Sequence, residues 1–565
     1  MPKNKSLAGK VLSRVPPEWE GLQLNVCRNP NCQNFGKWPL QKVGRHHGQR
    51  DGYRVVGGWL GKEHTARVLS CTFCGESFQM KSNRAISEEL VRIWRPHLPP
   101  PEPSCSTPDC GNGALSIHDH PAHYQRFGKT DAGSSRYRCK ACRKTFSVPN
   151  SPTHRQRQSE KNDLIFRCLV NKVPMRRICE VADANPAVLY HRIHFIHRQC
   201  ERFAHLHERT LAEGKQFPEL RIAVDRQDHV LNWGSTSDRR NTKLVAIASA
   251  ENNTGYVFGM HLDYDPDVDP YEADLHAREI GDYETEWSFR AYSRIWLPRD
   301  WNKEADVAPD VPIPEDARLP QHGSRVYSTY TMAAHFLFLR RLLPGAGRML
   351  FYLDPDPGIR AACLTAFRDD ILRGDVHAFL IRINKSLTVD RKRLALAARE
   401  QKLRTLRHDF GTPRLGDWNT AHRAMELEYR HLLQHQKRVQ DRWTHHLLPN
   451  MGEPEKAVCY LTERGTVSAS DVATMMLHAS LHSVDRYFMQ IRRRVSLLER
   501  PIQTASAGYR VWHGGAAYNP EIAAKLMDIF RVVYNFSLVG QDRKTPAVRL
   551  GIATERFSLQ DILDA

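Results

Sequence analysis

The chain has 565 residues, of which 41% are hydrophobic and 26% charged, and it carries a formal net charge of +19. That length exceeds what one hydrophobic core organises, and the apolar fraction is enough to bury several, so the composition excludes a disordered chain and predicts a folded multidomain protein. No apolar run is long enough to cross a bilayer, and Met1 to Lys10 has basic residues with no apolar stretch behind them, so a soluble, cytoplasmic protein without a membrane partner is expected.

Charge and cysteine share one partition. Residues 1–200 hold 32 Lys and Arg against 15 Asp and Glu, while the rest of the chain is almost neutral, at +2. A basic excess confined to one end suits a polyanion-binding module, because each neutralised phosphate releases condensed counterions; a solubility device is the alternative. Of 13 cysteines, 11 lie in the same 200 residues, and eight form two copies of one pattern. Cys27-x4-Cys32 pairs with Cys71-x2-Cys74, and Cys105-x4-Cys110 with Cys139-x2-Cys142. The repeat extends to CRNPNCQN and CSTPDCGN, and to CTFCGESF and CKACRKTF. Two close pairs separated by a long excursion bring four thiolates into a tetrahedron, the geometry of a closed structural zinc site, so about two Zn2+ per chain are expected. A disulfide framework is the competing reading, disfavoured because no secretory signal precedes it. Cys168, Cys179, Cys200, Cys363 and Cys459 lack this spacing and read as small buried apolar residues.

After the second quartet, NDLIFRCLV predicts one helix, PMRRICEVA a second opened by Pro174, and AVLYHRIHFIHRQC a third, with a turn at Asp183 to Pro186. This is a helix-turn-helix pattern. Val188, Ile193 and Ile196 are expected to face inward, leaving Tyr190, His191, Arg192 and His194 available to a groove of double-stranded DNA. A plain three-helix packing unit is the alternative.

The stretch QRFGKTDAGSSRYRCKACRKTFSV, followed by LVNKVPMRRICEVADANPAVLYHRIHFIHRQC, resembles the zinc-ribbon and helix-turn-helix front end of bacterial insertion-sequence transposases. The resemblance implies recognition of transposon DNA and an RNase H-like domain with a DDE/DDD carboxylate triad farther along. It also implies catalytic Mg2+ or Mn2+, a homodimer or larger assembly on transposon ends and target DNA, and a nucleoid-associated location.

Residues 213–383 read as an α/β unit. LRIAVD, TKLVAIASA, GYVFGMHLDY and RMLFYLD are strands, the second and third joined through Glu251 to Thr254; IRAACLTAFRDDIL is a helix and DVHAFLIRI a further strand. Three antiparallel strands, then strand, helix and strand, is the order of an RNase H-like fold. Two strands end in Asp225 and Asp354, where acids can meet at one sheet edge as metal-ion phosphoryl chemistry requires. Turn formation is the alternative for each, as Asp228, Asp356, Asp369 and Asp370 nearby illustrate. Residues 263–320, with ten acids between Asp263 and Glu286, read as a surface excursion whose acids are solvated.

Residues 384–467, with DRKRLALAAREQKLRTL and AHRAMELEYRHLLQHQKRVQDRW, read as a helical insertion. Beyond a capping box at Ser468 to Asp471, Val484, Phe488, Ile491, Val495 and Leu498 recur at helical spacing, with Asp485 beside the stripe. HSVDRYFMQIRRRV looks like the transposase segment in which the last acid is followed by Arg and then an arginine cluster, which makes Asp485 the third acid and Arg492 and Arg493 DNA contacts. Asp stands where many relatives have Glu, leaving Glu499 as the competitor. YNFSLVGQDRKTPAVRLGIA resembles the tail that follows the last acid in that family.

The expected fold class is therefore multidomain α+β: zinc ribbons at 1–95 and 96–150, a helix-turn-helix domain at 151–212, an RNase H-like catalytic domain beginning at 213–383, the insertion at 384–467, and the final catalytic helix and tail at 468–565. The expected activity is DNA transposition through Asp225, Asp354 and Asp485 holding two divalent ions. A non-catalytic DNA-binding regulator derived from a transposase and an RNase H-like nuclease are the alternatives.

Overall fold

The computed structural model describes residues 13–41, 51–60, 63–99, 102–233, 242–300, 322–435, 438–499 and 517–565. Two small antiparallel sheets come first, each in simple meander order. One is β1 (Tyr53–Leu60), β2 (Glu63–Cys71) and β3 (Ser77–Gln79), followed by α1 (Asn83–Trp94). The other is β4 (Tyr124–Lys129), β5 (Ser135–Cys139) and β6 (Thr145–Val148). The central strand of each ends on the third cysteine of its quartet, and the chain then turns back through a left-handed residue, Gly75 in one copy and Arg143 in the other.

Three helices follow: α2 (Lys161–Leu169), α3 (Met175–Val181) and α4 (Pro186–Ala212). Asp183 takes a left-handed conformation in the α3–α4 turn, and the Asn185 side chain accepts the Val188 amide at 2.8 Å, which starts α4 where Pro186 can occupy its first turn. Ile193 and Ile196 are fully buried, while Val188 is only half-buried.

The main sheet is mixed and has seven strands: β7 (Phe217–Leu231), β8 (Thr242–Glu251), β9 (Val257–Leu262), β12 (Ala346–Leu353), β13 (Val376–Ile383), β14 (Trp443–His445) and β15 (Lys456–Tyr460). Between β9 and β12 lie the two-residue pair β10 (Tyr264–Asp265) and β11 (Ser324–Arg325), with α5 (Pro270–Glu279) and α6 (Ser328–Leu342). The order across the sheet is β14-β15-β13-β12-β7-β8-β9. β7, β8 and β9 are antiparallel, β12 lies parallel to β7, and β13 parallel to β12. Near-continuous burial along β8, β12 and β13 reflects a sheet covered on both faces. Helices α7 (Pro357–Ala366) and α8 (Arg368–Arg373) connect β12 to β13.

Residues 384–467 are only partly helical. They form α9 (Val389–Asp409) and α10 (Asp417–His435), then turn into β14 and β15, which extend the sheet beside β13. KAVCY is a short, almost continuously buried apolar run, too short to stand out in the sequence behind the charged helices before it. The Ser468 cap opens a separate helix, α11 (Ala469–Leu477); Asp485 belongs to the next, α12 (His482–Arg494). The chain closes with α13 (Pro520–Phe536), α14 (Pro546–Leu550) and α15 (Leu559–Leu563).

The described residues fall into two compact units. One comprises Met1–Trp94, Thr210–Arg493 and Leu497–Ala524; the other comprises Arg95–Arg209, Arg494–Ser496 and Lys525–Ala565. The first cysteine module thus belongs to the same unit as the main sheet, whereas the second belongs with α2, α3, most of α4 and the C-terminal helices. The junction in the first unit is polar and buried. Glu89 of α1, fully buried, accepts from Arg92, from Arg294 at 3.1 Å and from Thr331 of α6 at 2.9 Å, and Arg294 also reaches Asp265 at 2.7 Å. Such a network is stable only because every charge in it is matched.

That network corrects one expectation. Of the ten acids between Asp263 and Glu286, five (Asp263, Asp265, Asp274, Asp282 and Glu286) are buried. They bind backbone amides or arginines: Asp263 accepts from Val245 N at 2.7 Å, and Asp282 from Ala291 N and Tyr292 N. Their density reflects internal wiring, with Asp267, Asp269, Glu272, Glu279 and Glu284 exposed. The part of this excursion at 301–320 lies outside the described residues. Among the described residues, no helix is long and apolar enough to cross a membrane.

Candidate functional site

The two cysteine quartets close as their spacing requires. In each, the four sulfurs lie within 4.8 Å of one another, and no other group of three or more His, Cys, Asp or Glu among the described residues does so. Cys27 and Cys74 Sγ are 3.5 Å apart, Cys32 and Cys71 3.6 Å, Cys105 and Cys142 3.5 Å, and Cys110 and Cys139 3.7 Å. All eight cysteines are free of disulfides. Four thiolates at these separations fit a tetrahedral zinc ion, and either quartet could hold one.

The repeat continues beyond the ligands. Tyr53 OH accepts the Cys27 amide at 2.7 Å and donates to Lys37 O; Tyr124 OH accepts the Cys105 amide at 3.1 Å and donates to Leu115 O. The Asn two positions after the second cysteine, Asn34 or Asn112, directs its amide to the third sulfur, at 3.9 Å in the first copy and 3.2 Å in the second. These donors orient ligands and favour thiolates. The Thr107 hydroxyl and the Lys144 amide bring the Cys142 thiol down to about 6.

A second constellation forms near the middle of the main sheet, where the β12–β7 ladder stops. Asp225 on β7 and Asp354 after β12 occupy adjacent parallel strands, where Asp354 N donates to Val224 O at 3.0 Å. Asp485 comes from the first turn of α12. The turn between β8 and β9 pins that helix to the sheet: Ser483 Oγ donates to Asn252 Oδ1 at 2.5 Å, and Asn252 Nδ2 donates to Ser480 O at 2.9 Å. Val484, Phe488 and Ile491 bury the helix's apolar stripe. At its far end Arg492 donates to Gln227 of β7 at 3.2 Å.

Lys385, in the loop after β13, reaches Asp485 at 2.7 Å and Asp225 at 3.6 Å. Sequence reasoning missed this residue, because a lysine after a strand carries no motif. Burial and the neighbouring Asp354 charge raise the Asp225 carboxyl to about 7, against the lowering effect of Lys385. Burial also raises Asp354. Burial alone would lower the Lys385 ammonium, but Asp225, Asp485 and Asp354 outweigh it and hold the group above its usual range. The three acids therefore share one cation-favouring patch, though they are not drawn within the close mutual distances of the sulfurs.

The competing carboxylates have other work. Asp356 caps α7, accepting from Gly358 N and Ile359 N, and pairs with Arg226 at 3.0 Å. Asp228 pairs with Lys243, and Asp369 and Asp370 with Arg340. Glu499 is exposed beyond α12.

The anticipated DNA-contacting side chains divide. Tyr190 and His191 are exposed on α4, and Arg493 is exposed on α12. Arg192 is 7% exposed, and its guanidinium donates to the carbonyls of Arg157 and Gln158. It is committed to holding the chain ahead of α2, because the helix turns that position inward beside Ile193. Arg492 is half-buried against β7. Compared with family models and with curated proteins, the chain matches none.

Proposed function

We propose that this protein is a DNA transposase of the insertion-sequence type, which binds transposon ends and carries out metal-dependent strand cleavage and strand transfer. The observation that carries the reading is the gathering of Asp225, Asp354 and Asp485 around Lys385 where the β12–β7 ladder stops. The strand order β9-β8-β7-β12-β13, with three antiparallel strands and then two parallel ones, supports an RNase H-like core. The α2–α3–α4 arrangement, with exposed Tyr190 and His191, supports a helix-turn-helix that docks in the major groove.

The donor set fits a divalent cation. Three oxygen ligands from rigid elements, two of them raised in pKa by burial and mutual charge, gain from a positive ion more than solvated acids do. Mg2+ or Mn2+ bound there supplies activation of the attacking oxygen and stabilisation of the leaving one. Asp225 and Asp354 fix the site from the strands, and Asp485 delivers the third carboxylate from a helix anchored by Asn252. The cysteine quartets hold structural zinc in both ribbons. A homodimer or larger assembly on paired ends follows from the family resemblance.

One observation favours the non-catalytic regulator: the Lys385 ammonium already supplies a positive charge to the acids, as a residue replacing a metal would. Incubation of the full chain with its own flanking ends, a target plasmid and Mg2+ or Mn2+ separates the readings. Cleavage with joining, abolished by Asp225→Ala, Asp354→Ala or Asp485→Ala while end binding persists, is expected. Cleavage without joining would indicate a nuclease, and binding alone a regulator.

A further inference from the structure

A cleft of about 330 Å3 opens where the first cysteine module meets the main sheet, within one compact unit. The knuckle between Cys27 and Cys32 forms one wall, with Arg28 and Asn31; Arg360 of α7, Arg438 and Leu461 form the other, and Glu76 lines it too. Two contacts hold the walls together: Arg464 donates to Pro30 O at 2.6 Å, and Arg360 pairs with Glu76 at 3.1 Å. Three guanidinium groups thus share a cleft with one carboxylate, which Arg360 already engages.

Neither of the remaining two makes an ion pair among the described residues, although the Glu76 charge also acts on Arg28. The Arg28 guanidinium lies over the Phe78 ring, 4.1 Å from its centroid, and its Nε is buried without a hydrogen-bond partner. Arg438 is exposed, and among the described residues its side chain donates no hydrogen bond. Arginines gathered in a cavity without acids to match them repel one another, so the arrangement is relieved by an anion. The planar fork of a guanidinium pairs with two oxygens of a tetrahedral anion.

We propose that this cleft binds a phosphate of a nucleic-acid backbone, giving the first cysteine module a DNA contact beside the sheet. The inference rests on the DNA-binding reading above. It also makes zinc a determinant of the contact, because Arg28 and Asn31 sit between two metal ligands.

The test is fluorescence anisotropy of the full chain on a duplex of random sequence, titrated with salt, for the wild type, Arg438→Gln and Arg360→Gln/Arg438→Gln. Zinc content is checked in each. Losing one phosphate contact should lower the slope of log affinity against log salt by about 1, so the deficit of Arg438→Gln should shrink roughly threefold between 50 and 200 mM salt. A wild type that binds while both variants follow its curve would overturn the cleft assignment alone. A wild type that binds no duplex would overturn the DNA-binding reading and this one with it. If millimolar inorganic phosphate raises the melting temperature of the wild type but not of Arg438→Gln, while their duplex curves coincide, the cleft takes a free anion and the nucleic-acid assignment fails.

Discussion

Asp225→Asn should make this protein more stable at alkaline pH. Asp225 is 7% exposed, and burial together with the Asp354 charge moves its carboxyl from the usual 3.8 to about 7. A carboxyl whose folded-state pKa lies above its unfolded value contributes stability that is fully present below about pH 4 and is lost as the pH rises through 7. Each tenfold change in proton affinity corresponds to ~1.4 kcal/mol, so ionised Asp225 costs roughly 4 kcal/mol at pH 8. Asn keeps the shape and can still accept the Arg226 amide that Asp225 accepts at 2.7 Å, but it carries no charge to desolvate. Urea unfolding between pH 4.5 and 8, with zinc but without Mg2+, should give a variant more stable than wild type by about 1–4 kcal/mol at pH 8, converging toward pH 4.5. Added Mg2+ should then narrow the gap at pH 8, because a cation at the cluster stabilises the wild type preferentially. A variant no more stable at pH 8, or a gap independent of pH, would refute the reasoning.

Four further outcomes are expected. Cys71→Ser should lower zinc from about two ions per chain to about one by metal analysis, because three thiolates remain at that site; unchanged zinc would refute the first quartet as a site. Lys385→Met should deepen the instability at pH 8 and enlarge the rise in melting temperature produced by Mg2+, and an unaltered Mg2+ response would mean that Lys385 does not balance the acids. Arg192→Ala should destabilise by about 1–3 kcal/mol and weaken binding to specific and random DNA alike, since the carbonyls of Arg157 and Gln158 lose their donor and the buried end of the side chain leaves a gap; a selective loss of discrimination would contradict its structural role. Phe488→Ala should cost about 3–5 kcal/mol and abolish strand transfer before DNA binding, because the stripe that seats Asp485 is undercut; full strand transfer would show that the helix needs no such seat.

Much of the chain was legible because its signals are local. Cysteine spacing announced both quartets, and short apolar runs ending in Asp marked β12 and the first part of β7, which does not end at Asp225 as expected but runs on to Leu231 paired with β8; the β7–β12 pairing brings Asp225 and Asp354 side by side. The apolar stripe of Val484, Phe488 and Ile491 located the helix that carries Asp485. What stayed hidden depends on long-range pairing. Lys385 meets Asp225 across 160 positions of sequence, a contact that no window reveals. Arg192 looked available on a helical wheel, yet the loop at Arg157 and Gln158 folds against it. The acids between Asp263 and Glu286 looked solvated because their partners, Val245 and Arg294 among them, lie on other elements.

The two cysteine modules share a ligand pattern, a tyrosine clamp and an asparagine donor, yet each packs into a different compact unit. Glu89, on the helix that follows the first copy, is buried against Arg294 and Thr331, which ties that copy into the unit that holds the sheet. Two modules alike in their ligands are therefore not interchangeable, because of what they touch. Transplanting the second module into the place of the first would preserve the metal chemistry and remove the keystone.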